Sequence, residues 1–179
     1  MTAADGRIEA PLPGLMPTPG LSFARAWIYA GLTIAALDIA DALIYYGARG
    51  VAPHLIFQSI ASGVLGRAAF SGGLGVELLG GFLHCFNSFT IALVYLAASR
   101  RLRTLAERPW LWGPTYGVSV WFVMYFLVLP LSAHGAEAMR TANVIDEIAI
   151  HILGVGLPAA LFARAAAAPA ADAASPRPT

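Results

Sequence analysis

Residues 74–97 read LGVELLGGFLHCFNSFTIALVYLA, and ASRRLR follows at 98–103. The first stretch holds one carboxylate, one imidazole and no arginine. At a rise of about 1.5 Å per residue it reaches about 36 Å, enough to cross a hydrocarbon core of about 30 Å. An amphipathic soluble helix would show one polar face, whereas this one is apolar nearly all round. It is predicted to span a membrane, with the arginines at its C-terminal end on the cytoplasmic side.

Three more runs of this kind flank it, at about 26–47, 110–130 and 144–163. Composition agrees, since hydrophobic residues make up 58% and charged residues only 12%. Soluble domains carry about 25% charged residues. Mean hydropathy is +0.69. A net charge of +1 implies no bulk attraction to nucleic acid. The expected fold is an all-α integral membrane four-helix bundle occupying residues 23–164. It carries one extra short helix at 53–66, PHLIFQSIASGVLG, which at about 20 Å is too short to span. That segment is either interfacial or re-entrant. The interfacial form is preferred because re-entry needs protein or water around the exposed backbone. Its Ile56, Ile60 and Val64 are expected to face lipid, and Ser59 and Ser62 to face protein.

Residues 1–22, with four prolines, read as a flexible cytoplasmic lead-in without the core of a signal peptide. Residues 165–179, mostly Ala, Pro, Asp and Ser, read as a disordered tail. All eleven basic residues are arginine. Arg7, Arg25, Arg100, Arg101, Arg103, Arg108, Arg164 and Arg177 fall on one side of a four-span topology, and Arg49, Arg67 and Arg140 on the other. The positive-inside rule then places both termini in the cytoplasm and the 48–73 and 131–143 loops outside, in the periplasm of a Gram-negative source. Trp110, Trp112 and Tyr95 are expected as interface anchors. The glycines at 80, 81, 113, 117, 154 and 156 are read as sites of close helix packing. Pro158 should free the carbonyl of Gly154 and kink the fourth span. The single Cys85 makes no internal disulfide and is expected to be a buried thiol.

Four stretches carry a resemblance: FQSIASGVLGRAAFSGG (57–73), LLGGFLHCFNSFTIALVYLAASRRL (78–102), YGVSVWFVMYFLVLPLS (116–132) and HILGVGLPAALFAR (151–164). Together they resemble a family of small uncharacterised bacterial inner-membrane proteins with four predicted transmembrane helices. The resemblance covers about residues 25–164. It implies a multi-pass protein of the bacterial inner membrane and brings no catalytic residue with it.

Function has to be sought in the polar residues that are out of place in a bilayer. An ionised carboxylate at a helix centre costs about 2.5–3.5 kcal/mol to insert, so each is a candidate site with a partner to be named. Asp38 and Asp41 are three apart on the first span, with Tyr45 extending their face. His84 is near the middle of the second span, with Glu77 two turns before it and Asn87 and Ser88 after it. His151 is on the fourth span, with Glu147 one turn before it. The helical rise puts Asp38 and Asp41 about 18 and 22 Å above the cytoplasmic edge, His84 about 15 Å and His151 about 10 Å below the outer edge. Glu77 and Glu147 come about 5 Å below that edge. The pattern predicts a polar pocket open outward and closed toward the cytoplasm.

Asp38, Asp41, His84 and His151 form an oxygen and imidazole set that suits a divalent metal, with Glu77, Asn87 and Glu147 as outer partners. The same residues could bind or relay protons. A second reading is b-type haem between His84 and His151, for which Asp38 and Asp41 are an odd lining. A third is a structural or assembly protein, including a homo-oligomer, whose polar groups lock helix pairing. Plainer roles stand beside these. Glu77, Asp146 and Glu147 near helix N-termini complement the macrodipole, and Asn143 with Asp146 could cap the fourth span. His54 and His134 read as surface histidines. No nucleophile elbow, H-E-x-x-H helix or phosphate loop points to an enzyme.

Overall fold

Each apolar run is helical in the structure, a computed structural model that describes residues 20–134 and 141–167. The expected lead-in at 1–19 and tail at 168–179 lie outside the described residues. The helices are α1 (Phe23–Gly47), α2 (Pro53–Leu65), α3 (Leu74–Ser99), the short α4 (Thr104–Glu107), α5 (Pro109–Leu131) and α6 (Asn143–Ala167). No strand occurs among the described residues. α1, α3, α5 and α6 are the four helices long and apolar enough to cross a bilayer. With Phe82, Phe86, Phe122 and Leu131 exposed on their outer faces, the chain is an all-α, multi-pass membrane protein.

Ser22 starts α1, its hydroxyl accepting from the Arg25 amide. Pro53 opens α2, and Gly66, at φ +61°, turns the chain out of it. The four spans run alternately up and down. One end gathers Arg25, Arg100, Arg101, Arg103, Arg108 and Arg164; at the other, Arg49 and Arg67 are the arginines among the described residues.

The arginine-rich half is tightly packed. Ala26, Ala30 and Ile34 of α1 meet Ala92, Tyr95 and Leu96 of α3 and Val155, Ala159, Ala160 and Ala163 of α6. Small residues bring the backbones together, and buried polar tips satisfy backbone carbonyls that water cannot reach. Trp27 Nε1 donates to the Phe89 carbonyl at 2.9 Å, Tyr116 Oη to Ile91 at 2.8 Å and Tyr95 Oη to Leu105 at 2.9 Å. Tyr95, expected at the interface, is thus a core residue, 2% exposed. Trp110 is exposed, as an anchor would be.

Both α5 and α6 contain a π turn, at Met124–Val128 and His151–Gly156. The Leu129 amide donates to the Met124 carbonyl and the Leu157 amide to the Ile152 carbonyl, each five residues back. In both cases the next residue is a proline, Pro130 or Pro158. A proline donates no hydrogen bond and crowds the carbonyl four residues before it, and widening the turn relieves that clash. The distortion expected at Pro158 therefore takes the form of a π turn, and Pro130, which the sequence suggests only as an end, has the same effect.

α2 packs its backbone directly onto α3. A Cβ added at Gly80 would fall inside the Phe57 carbonyl, so the space beside Gly80 is filled by α2. Gln58 Nε2 donates to the Gly72 carbonyl at 2.8 Å, and the Ala133 amide donates to Gly63 at 2.9 Å. Ser62 Oγ is paired with His134 Nδ1, so His134 belongs to this junction and not to a free surface. Ile56, expected to face lipid, is buried; Ser62 is buried as expected, and Ser59 and Val64 are exposed. Cys85, expected to be buried, is exposed on the outer face of α3.

Candidate functional site

His84 extends from the middle of α3 toward α1. Its Nε2 lies 2.9 Å from the Ala35 carbonyl oxygen. A carbonyl only accepts, so Nε2 carries the hydrogen and donates it. That leaves Nδ1, 3.8 Å from Asp38 Oδ2, as the nitrogen that carries a lone pair whenever the ring is neutral. The imidazole side chain is 10% exposed and the carboxylate 32%, so the carboxylate is the more open member of the pair. One helical turn beyond, Ser88 Oγ donates to the His84 carbonyl at 2.9 Å.

His151 is fixed in the same way from the other side. It begins the π turn of α6, and its Nδ1 is 2.7 Å from the Glu147 carbonyl. Nδ1–H is therefore the donor, and Nε2 is the nitrogen left for other chemistry. The backbone behind it is held by glycine. A Cβ at Gly117 would fall inside the His151 carbonyl, and one at Gly156 inside the Gly113 carbonyl. The glycines expected to pack helices closely thus seat the turn that carries His151. Trp121 Nε1 donates to Glu147 Oε2 at 3.1 Å, tying α5 to α6 one turn away.

These groups line a cavity of about 570 Å³ among α1, α2, α3 and the two π turns. Asp38, His84, Asn87, Ser88 and His151 supply its polar surface, and Ile34, Ile56, Met124 and Val155 part of its apolar surface. Asn87 Nδ2 reaches the Met124 sulfur at 3.7 Å. Tyr46 and Ser59 also line it, and the sequence singled out neither for this role.

The remaining candidates lie elsewhere. Asp41 is within electrostatic reach of Asp146, Asp38 and His151 but does not line the cavity. Glu77 occupies the first turn of α3, where a carboxylate complements the helix dipole. Glu147 is held by Trp121. Asn143 accepts from Tyr45 Oη at 3.2 Å, which joins α1 to α6. Among the described residues no three His, Cys, Asp or Glu side chains gather closely enough to hold one metal ion. Two of the four proposed metal ligands, Asp38 and His84, are paired; His151 shares their cavity and Asp41 does not line it. For haem, one nitrogen of His84 bonds Ala35 and the other faces Asp38, which leaves none directed at an iron.

No family model matches this chain, and neither a curated protein nor a solved structure matches it. The resemblance to small inner-membrane proteins thus gains no support from these comparisons, and the membrane-spanning architecture rests on the four helices themselves.

Proposed function

We propose that the protein binds and exchanges protons, or a small cation in their place, at the Asp38–His84 pair, from a cavity reached on the outer side of the bacterial inner membrane. The observation that carries this reading is the 3.8 Å approach of His84 Nδ1 to Asp38 Oδ2 on the wall of a cavity shared with His151. Carboxylates and imidazoles inside membranes commonly form proton relays.

The pair can hold one proton in two ways. On Asp38 it makes a neutral acid facing the Nδ1 lone pair. On Nδ1 it makes an imidazolium beside a carboxylate, while Nε2–H stays with Ala35. Closing the gap to hydrogen-bond distance needs only a small movement of the more open Asp38 side chain. His151 Nε2 offers a second station. Toward the arginine-rich end the core is closed by Ile34, Tyr95, Val120 and Val155, with no ionisable chain among these four but the tyrosine, which is bonded to Leu105. This favours one-sided binding over a through-channel. With no three-ligand cluster among the described residues, protons or a loosely held cation fit better than a tightly coordinated divalent metal.

The test is proton uptake by the detergent-purified protein after a pH step, followed with a pH-indicator dye, beside infrared detection of carboxyl protonation. Wild type should show both signals, Asp38→Asn should lose both, and His84→Gln should slow proton uptake about tenfold or more. Signals equal to those of protein-free micelles would refute the proposal. A structural reading is favoured by the bonds His84–Ala35 and Trp121–Glu147, which join neighbouring spans. It predicts that Asp38→Asn and His84→Gln keep whatever activity wild type shows, whereas Asp38→Leu or His84→Leu disturb folding.

A further inference from the structure

A second cavity, of about 910 Å³, opens at the opposite end of the bundle. Its rim carries Arg100 from the end of α3, Arg103 from the turn before α4 and Arg164 from the last turn of α6. Phe23 and Leu96 are among its apolar wall residues. Glu107 is the one acidic residue lining it, so the lining carries two net positive charges. Arg100 stands over the Phe23 ring at 5.2 Å. No carboxylate lies within ion-pair distance of any of the three guanidiniums among the described residues.

Compensation of helix dipoles explains part of this. Arg100 and Arg164 close helices, where a cation is favoured. Arg103, before the four-residue α4, closes no long helix, so dipole compensation does not account for it. Three elements thus direct cations at one basin whose wall is apolar. Guanidinium forks match the oxygen geometry of phosphate, and basic pockets between spans on the cytoplasmic side suit anionic headgroups. We infer that this basin binds a phosphate group, carried by the headgroup of an anionic phospholipid or present as free phosphate, with Arg103 and Arg164 as its principal donors. The apolar wall at Phe23 and Leu96 is where the glycerol and first acyl carbons of a lipid would rest.

The experiment is native mass spectrometry of the full chain, delipidated in detergent and titrated separately with phosphatidylglycerol, phosphatidylcholine and inorganic phosphate. Wild type should prefer phosphatidylglycerol over phosphatidylcholine by about tenfold. The double variant Arg103→Gln/Arg164→Gln should lose that preference, and Arg67→Gln, at the far end, should keep it. Binding of inorganic phosphate that the same double variant abolishes, with no preference between the lipids, would assign the basin to free phosphate. Equal retention of phosphatidylglycerol by wild type and double variant, or no binding of any of the three, overturns the inference. Should the double variant fail to fold by circular dichroism, the salt dependence of wild type decides. Binding should weaken about tenfold between about 50 and 500 mM salt if arginine–phosphate attraction carries it, and its persistence would overturn the inference.

Discussion

The two halves of this bundle are built on opposite principles. In the arginine-rich half, alanines and glycines let backbones touch, and Trp27, Tyr95 and Tyr116 spend their polar tips on carbonyls of neighbouring segments. In the half that carries α2, the spans part around a cavity, two helices loosen into π turns, and Asp38, His84 and His151 face the space between. A bilayer gives helices no hydrophobic drive toward one another, so close packing must be provided somewhere. The difference teaches that a continuous apolar core is confined to one half, and that the other, held by a few backbone contacts at glycines, can then enclose polar groups that such a core would exclude.

The largest test of that division is Gly156→Ala, at the crossing of α5 and α6. The added methyl meets the Gly113 carbonyl, which is backbone and cannot turn aside. A loss of about 3 kcal/mol is expected in mixed-micelle unfolding. Gly81→Ala, whose Cβ would meet only the Phe57 ring at 3.9 Å, should stay within about 0.5 kcal/mol by the same measurement. If both variants behave alike, the backbone contact at Gly156 is not what holds α5 to α6.

Tyr116→Phe removes one bond from the packed half and should cost about 1 kcal/mol, within the span measured for bonds between membrane helices. Ala42→Leu acts in the other half, filling part of the cavity. Thermal melting in detergent should show stability unchanged or raised by about 1 kcal/mol, while proton uptake falls. A variant that melts early and still takes up protons would place function outside the cavity. Glu77→Gln should cost only about 0.5 kcal/mol, the worth of a carboxylate at a helix N-terminus. Cys85→Ala should likewise leave the unfolding free energy within about 0.5 kcal/mol of wild type, since the thiol is exposed.

The spans were legible because length and apolarity suffice to define them: Phe23–Gly47 and Leu74–Ser99, for example, each share one end with the expected 26–47 and 74–97 and extend the other by three and two residues. Asp38, His84 and His151 could be found individually, because an ionisable group in an apolar run stands out. Their partners could not be read in the same way. Whether Asp38 meets His84 while Asp41 stays off the cavity wall depends on how each helix is rotated about its axis, and no local pattern records that. Cys85, Ile56 and Tyr95 were misplaced for a related reason. In a membrane protein the lipid-facing and protein-facing sides are both apolar, so hydropathy separates them poorly. The polar contrast that orients a soluble helix is missing.

The π turns also set the rotational phase of the helical segments on their C-terminal side. Each packs one more residue into a turn than an α-helix would, so the segment beyond it is displaced by one position, about 100° of rotation. In α6 this displacement falls between His151 and the stripe Ala159, Ala160 and Ala163, which lies in the packed core. Removing a single residue from 151–156 would swing either the histidine or the alanines away from their present faces. The same extra residue therefore lets one continuous helix present its imidazole to the cavity and its alanines to the bundle.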